Sequence, residues 1–227
     1  MLNNQISLSD SEFRVRAANQ VINEGISYVS NLISAEEFEG LANALGNIIS
    51  DFAVKIDSTK VSYVCHSEAI PFHTDDLSCR YIGWHCISQD SSDGGSLLLH
   101  TQKVFALLSP TELEILSQVK IEPAPYAKGP SEPYPLLHEY PSNPGICYVP
   151  WLKIHSSNDA QKNALERLKE AIAKVENSGD FVEIKLQPGQ ALFIDNWRVF
   201  HGRRELKSDS PRHLRRLWVG AAETTNK

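Results

Sequence analysis

No apolar run in the 227 residues approaches the roughly 18 needed to cross a bilayer, so no membrane-spanning helix and no membrane partner are expected. The first twenty residues, MLNNQISLSDSEFRVRAANQ, lack the apolar core of a signal peptide. None of the four cysteines, Cys65, Cys79, Cys86 and Cys147, forms a C-x-x-C pair. Together these lacks point to a cytoplasmic protein whose reduced thiols are small core residues. A basic excess is missing too. The formal net charge is −6, whereas a nucleic-acid partner usually requires a basic face. Internal repeats, low-complexity tracts and domain-length linkers are absent. A single domain spanning residues 1–227 is therefore expected, with enough apolar residues (41%) for a sizeable core.

What is present divides into two textures. Residues 1–57 read as a helical N-terminal support. Ser9 and Asp10 could cap a first helix with a stripe of Phe13, Ala17, Val21 and Ile22. Ser34 and Glu37 form a capping box for a second, with Phe38, Leu41, Leu45 and Ile48 on one face. Residues 58–227 break into short apolar or alternating runs that read as strands: 60–65, 79–88, 96–101, 119–123, 136–140, 146–152, 180–186, 190–195, 198–203 and 213–221. A short helix follows Ser109-Pro110-Thr111-Glu112. A longer helical insertion covers about 159–176 and stops at Gly179. Mainly β with flanking helices suggests a β-sandwich or jelly-roll core. The Pro-rich stretches 124–135 and 141–145 read as loops over its mouth.

The segment Pro71-Phe72-His73-Thr74-Asp75-Asp76 carries the first chemical signal. In a strand, residues two apart share a face, so His73 and Asp75 could converge on one ion. An imidazole and a carboxylate suit Fe(II), and a second histidine would complete a facial triad with open positions. His201 lies in a β-like stretch far downstream, and Arg212 follows eleven residues later. Arg212 and Arg216, four apart, would share one strand face. An inward arginine needs an anion, because a buried unpaired guanidinium is costly. The distal carboxylate of an iron-chelating 2-oxo acid would meet it with two parallel charge-assisted hydrogen bonds.

These pieces, PFHTDD, DGGSLLL, LQPGQALFIDNWRVFHGR and RHLRRLW in that order, resemble the taurine dioxygenase/clavaminate synthase-like branch of the Fe(II)/2-oxoglutarate-dependent oxygenases. The resemblance covers about residues 72–220. It implies a double-stranded β-helix, iron at His73, Asp75 and His201, and Arg212 on the C5 carboxylate of 2-oxoglutarate. It implies Arg216 as a secondary support, and a Ser or Thr after the Gly-Gly turn on the co-substrate. Here that residue is Ser96, with Thr101 as the fallback. Because Asp75 is intact, no ligand position is left for halide. The branch then implies hydroxylation, with O2 and 2-oxoglutarate giving succinate and CO2. Desaturation or cyclisation would need only a different placement of the substrate radical. A cupin-like metal- or ligand-binding protein would explain the triad but leaves Arg212 without a role. A demethylating oxygenase of nucleic acid or protein fits the acidic balance poorly.

A small-molecule substrate, such as a free amino acid or derivative, is expected. Asp76 or Glu68 could hold its ammonium group, although a solvated carboxylate or an ion pair to Arg80 is the plainer use. Arg203 shares the face of His201 and could grip a substrate carboxylate, whereas Arg198 falls on the other face and reads as structural. The four tryptophans, Trp84, Trp151, Trp197 and Trp218, read first as core residues. Trp218 is the best placed for the pocket. The other six histidines lack ligand spacing and read as structural or surface groups.

Overall fold

Alternation of apolar residues sorts the longer strands into two main sheets with helices outside both, and the short strands among the described residues pair in two small sheets of three and two strands. The architecture comes from a computed structural model describing residues 11–60, 62–123, 129–139 and 144–221. The N-terminal part contributes α1 (Ser11–Glu24), β1 (Ile26–Val29), α2 (Ala35–Leu45) and β2 (Ile48–Lys55). After a 3-10 turn at Tyr63–Cys65 come β3 (Ile70–His73), β4 (Tyr81–Ser88), β5 (Ser96–His100), α3 (Thr101–Phe105) and α4 (Pro110–Ser117). Short strands β6 (Lys120–Ile121), β7 (Tyr134–Pro135), β8 (Leu137–His138), β9 (Gly145–Ile146) and β10 (Ile154–Ser156) lead into α5 (Asp159–Ser178). The chain closes with β11 (Val182–Ile184), β12 (Ala191–Asp195), β13 (Val199–Arg203) and β14 (His213–Val219).

The larger sheet runs β1-β12-β4-β14-β2 and the smaller β11-β5-β13-β3, with every pair antiparallel. This is the jelly-roll, or double-stranded β-helix, arrangement. Leu192 and Ile194 of β12 meet Leu98 of β5 and Val199 of β13 in the core between the sheets. The alternate residues Ala191 and Phe193 pack outward on Phe13, Val21 and Phe38 of α1 and α2. On the smaller sheet Leu97, Leu99 and Phe200 likewise face outward, against Leu165, Leu168 and Ile172 of α5. Period-two alternation thus leaves every inward position of β5 and β13 available to the space between the sheets. His201 and Arg203 occupy two of those positions.

The capping boxes at Ser34/Glu37 and Ser109/Glu112 form as expected. The expected cap at Ser9 and Asp10 lies outside the described residues, as do 124–128 and 141–143 of the Pro-rich stretches and residue 140 of the expected strand 136–140. Several expectations need correction. The first 57 residues are not wholly helical. Ile26–Val29 and Ile48–Lys55 become the two edges of the larger sheet. Ile22 of the expected stripe is 45% exposed. The described residues of the expected strand 60–65 form none, because Tyr63–Cys65 tightens into a 3-10 turn. Residues 134–135 and 145 belong to short strands rather than loop, and of the expected strand 146–152 only Ile146 is in one. Thr101 ends no strand; it begins α3. Among the described residues no helix is long and apolar enough to cross a membrane.

Candidate metal and co-substrate site

β3 and β13 pair with a one-residue irregularity: His201 faces His73, yet Arg203 faces Ile70. The extra residue in β3 turns both Ile70 and His73 inward, a re-aiming that bulges commonly produce. His73 and His201 stand with ring centroids 4.2 Å apart. Asp75 lies beyond the end of β3, so strand parity is not what aims it, contrary to the sequence-based expectation. The loop is held instead. The Asp75 N–H donates to Asn196 Oδ1 at 2.7 Å. Thr74 and Tyr148 clasp each other through Thr74 N–H to Tyr148 O and Tyr148 N–H to Thr74 Oγ1, both 2.7 Å.

The three ligand atoms lie within 4.8 Å of one another and all three residues are buried. His73 Nε2 is 3.6 Å from Asp75 Oδ1, and His201 Nε2 is 3.8 Å from Asp75 Oδ2. Those separations are too long for hydrogen bonds. Both ring nitrogens of His201 are buried and have no partner among the described residues. An ion between the three groups would take the Nε2 lone pair of His201, and two imidazoles with one carboxylate are the donor set of a facial Fe(II) site. The residues present therefore fit the metal.

Charge supports the same reading. Burial pushes the Asp75 carboxyl upward, but Arg216, then His73 and His201, outweigh it and hold Asp75 well below the usual range. Arg216 approaches Asp75 Oδ2 at 3.3 Å, and Trp218 Nε1–H donates to the same oxygen at 2.9 Å. Burial, then the nearby His73, keeps His201 neutral far below its ordinary pKa. Each effect favours the metal-ligating form. His73 donates Nδ1–H to the Pro71 carbonyl at 2.9 Å, which leaves the lone pair on Nε2. The Tyr63 hydroxyl donates to that nitrogen at 3.0 Å.

A cavity runs from His73 and His201 past Trp84 and Ser96 to Arg203 and Arg212. Arg212, just before β14, is 4% exposed. Its Nε–H donates to the Gly94 carbonyl at 3.0 Å. Burial, then the neighbouring Arg203, lowers its pKa to about 9. No carboxylate among the described residues pairs with it. Ser96, the first residue of β5, faces Arg203 in register and lines the cavity. Thr101 sits at the opposite end of β5 and does not.

The residues expected to bind substrate divide. Trp218 reaches the site, as does Arg216, expected on the co-substrate. Arg203 points inward as parity predicts, but its guanidinium donates to the carbonyls of Val64, His66 and Glu68 at 3.1, 2.6 and 2.7 Å. The Glu68 side chain is exposed. Asp76 caps its own turn through Ser78 N and Oγ at 2.8 and 2.5 Å. Arg80 pairs with Asp195 rather than with Asp76. Arg198 binds Asp195 and the Ile22 carbonyl, a structural role as expected. The four cysteines are free and buried. Trp151 is not core: it is 52% exposed and stands edge-on to Tyr63, 4.8 Å between centroids. Sequence reasoning assigned no role to Tyr63, Asn196 or Gly94. Only the Asp-Asn pair before His201 offered a signal.

A family model described as "Taurine catabolism dioxygenase TauD, TfdA family" matches residues 3–218. The chain is 26% identical over 222 residues to mitochondrial trimethyllysine dioxygenase of Mus musculus, covering 79% of this chain and 48% of that protein. It is 27% identical over 172 residues to the Gallus gallus enzyme, covering 60% and 37%. The chain thus spans about half the length, or less, of these curated relatives. Among solved structures, asparagine oxygenase with Fe(II), 2S,3S-3-hydroxyasparagine and succinate superposes with a TM-score of 0.73 at 18% identity, covering 93% of this chain and 80% of that one. The non-heme iron oxygenase OrfP with Fe and alpha-ketoglutaric acid gives 0.73 at 16% identity, with the same coverage.

Proposed function

Since the chain belongs to the taurine catabolism dioxygenase TauD, TfdA family, we propose that it is an Fe(II)- and 2-oxoglutarate-dependent dioxygenase hydroxylating a free amino acid or a close derivative. The observation that carries this is Arg212. A buried guanidinium without an acid partner among the described residues lies along the same cavity as a His-Asp-His triad. A binding protein of cupin type would need the triad but not the buried cation.

His73, Asp75 and His201 would hold the iron. With 2-oxoglutarate and O2, that centre supplies oxidation of an unactivated C–H, giving the alcohol, succinate and CO2. Arg212 would take the C5 carboxylate through its terminal nitrogens, with Ser96 beside it. Arg216 balances the charge of Asp75 and keeps a buried Nε without a partner among the described residues, which suits it to support a carboxylate at the metal end. Its guanidinium is held 5.1 and 5.5 Å from the Trp218 and Phe52 rings. The intact Asp75 leaves no ligand position for halide.

Support for this substrate class comes from the relatives, whose names or bound ligands include trimethyllysine, hydroxyasparagine and hydroxy-L-Arg, all α-amino acids. Screening amino acids for substrate-stimulated succinate release, then tracing 18O2 into the product, tests the assignment. One 18O atom in an alcohol is expected. A chlorinated product, or no succinate with any candidate, would contradict it. We also assign the protein to the cytoplasm, because four buried free thiols fit a reducing compartment; cell fractionation checks this.

A further inference from the structure

We propose that Gly94 is a positioning residue for the co-substrate, its carbonyl and its missing side chain together fixing the guanidinium of Arg212. The inference rests on the reading of that co-substrate as 2-oxoglutarate. Its basis is local geometry. The Gly94 carbonyl accepts the Arg212 Nε–H at 3.0 Å. No partner among the described residues takes either terminal nitrogen, so both are left for a carboxylate. A guanidinium held by Nε alone presents its two-pronged edge, the geometry that bidentate carboxylate binding requires.

The absent side chain matters as much as the carbonyl. A Cβ at Gly94 would stand 2.7 Å from Arg212 Cδ and 2.9 Å from Leu206 Cδ2. The φ of +88° is also one that L side chains rarely adopt. Any side chain here would displace the arginine stem, the backbone turn, or both. The turn itself is braced. Asp90, buried, accepts from Ser92 N, Ser92 Oγ and Asp93 N at 2.9, 3.0 and 3.3 Å. The Ser210 side chain, which helps hold the Asp90 carboxyl low, accepts the Arg212 backbone N–H at 3.4 Å. The braced turn and the backbone of Arg212 thus meet at Ser210. The tie has something to resist, since Arg203 lies close enough to repel Arg212.

Gly95 supplies the control. The three atoms nearest a Cβ there all belong to the Glu183 side chain, which is 43% exposed and can move aside. The experiment titrates 2-oxoglutarate, and separately pyruvate, into anaerobic Fe(II)-loaded protein, with calorimetry as the readout. Pyruvate shares the chelating head and lacks the distal carboxylate. Gly94→Ala should weaken 2-oxoglutarate roughly ten- to hundredfold, the scale of one hydrogen bond to a charged group. Pyruvate affinity should not change, and Gly95→Ala should leave both ligands as in wild type. Unchanged 2-oxoglutarate affinity in Gly94→Ala, or equal weakening of both ligands, overturns the proposal alone. Wild-type protein that binds 2-oxoglutarate no better than pyruvate overturns the co-substrate reading and the proposal with it. Should Gly94→Ala not fold, 15N NMR of wild type decides. The Arg212 Nε–H, assigned through its loss in Arg212→Lys, should exchange slowly before any ligand is added. A fast-exchanging signal overturns the proposal.

Discussion

The Tyr63 hydroxyl donates to Nε2 of His73 at 3.0 Å, the same nitrogen that the metal would take. The Pro71 carbonyl fixes the other ring proton, so phenol and metal compete for one lone pair. Replacing Tyr63 by Phe removes the competitor. Metal titration of the metal-free protein should then show about fivefold tighter Co(II) binding, the equivalent of roughly 1 kcal/mol for one neutral hydrogen bond. Equal or weaker binding would show that the hydroxyl does not compete.

Asn196 holds the loop of Asp75 from outside the ligand set. It accepts the Asp75 N–H at 2.7 Å and donates to the Cys79 carbonyl at 2.8 Å. Asn196→Ala should lower iron affinity roughly ten- to hundredfold, as loss of outer supports typically does. Near-normal affinity would mean that Thr74 and Tyr148 hold the loop unaided.

Arg203 decides between two roles. With its guanidinium committed to three carbonyls, Arg203→Ala should cost about 3 kcal/mol or more in urea denaturation, because buried carbonyls lose their donors. A variant of normal stability with weakened substrate binding would restore the substrate-gripping role that strand parity suggests.

His138 should make stability depend on pH. Its two buried ring nitrogens have no partner among the described residues, and burial, then Arg80, lowers its pKa to about 4. Below pH ~6.5 the unfolded chain takes up a proton that the folded chain refuses. Stability should therefore fall as pH drops from about 6.5 to about 4, by at most roughly 3 kcal/mol, and level off below. His138→Phe should flatten that slope in denaturation curves taken across the range; an unchanged slope would assign it to other groups.

What was legible in the sequence was chemistry carried by short motifs. His73, His201 and Arg212 announce themselves because each sits in a strand-like segment of unusual composition, and all three reach one cavity. Asp75 was found for the wrong reason, since its aim depends on Asn196 far along the chain rather than on strand parity. Arg203 misled because parity gives a direction but not the carbonyls waiting there. Tyr63 lay hidden in an alternating run that reads as strand, and only the 3-10 turn brings its hydroxyl to His73. The edge strands β1 and β2 were missed for physical reasons as well. The first has four residues, and the second shows no regular alternation of burial because it covers only one flank of the sheet.

The most direct test of the iron and 2-oxoglutarate assignment is visible absorption under anaerobic conditions. Fe(II) and 2-oxoglutarate added to the wild-type protein should produce the weak charge-transfer band of the chelate, and Arg212→Ala should lose it at low co-substrate concentration. A wild-type protein that binds Fe(II) yet develops no band as 2-oxoglutarate is raised would contradict the assignment.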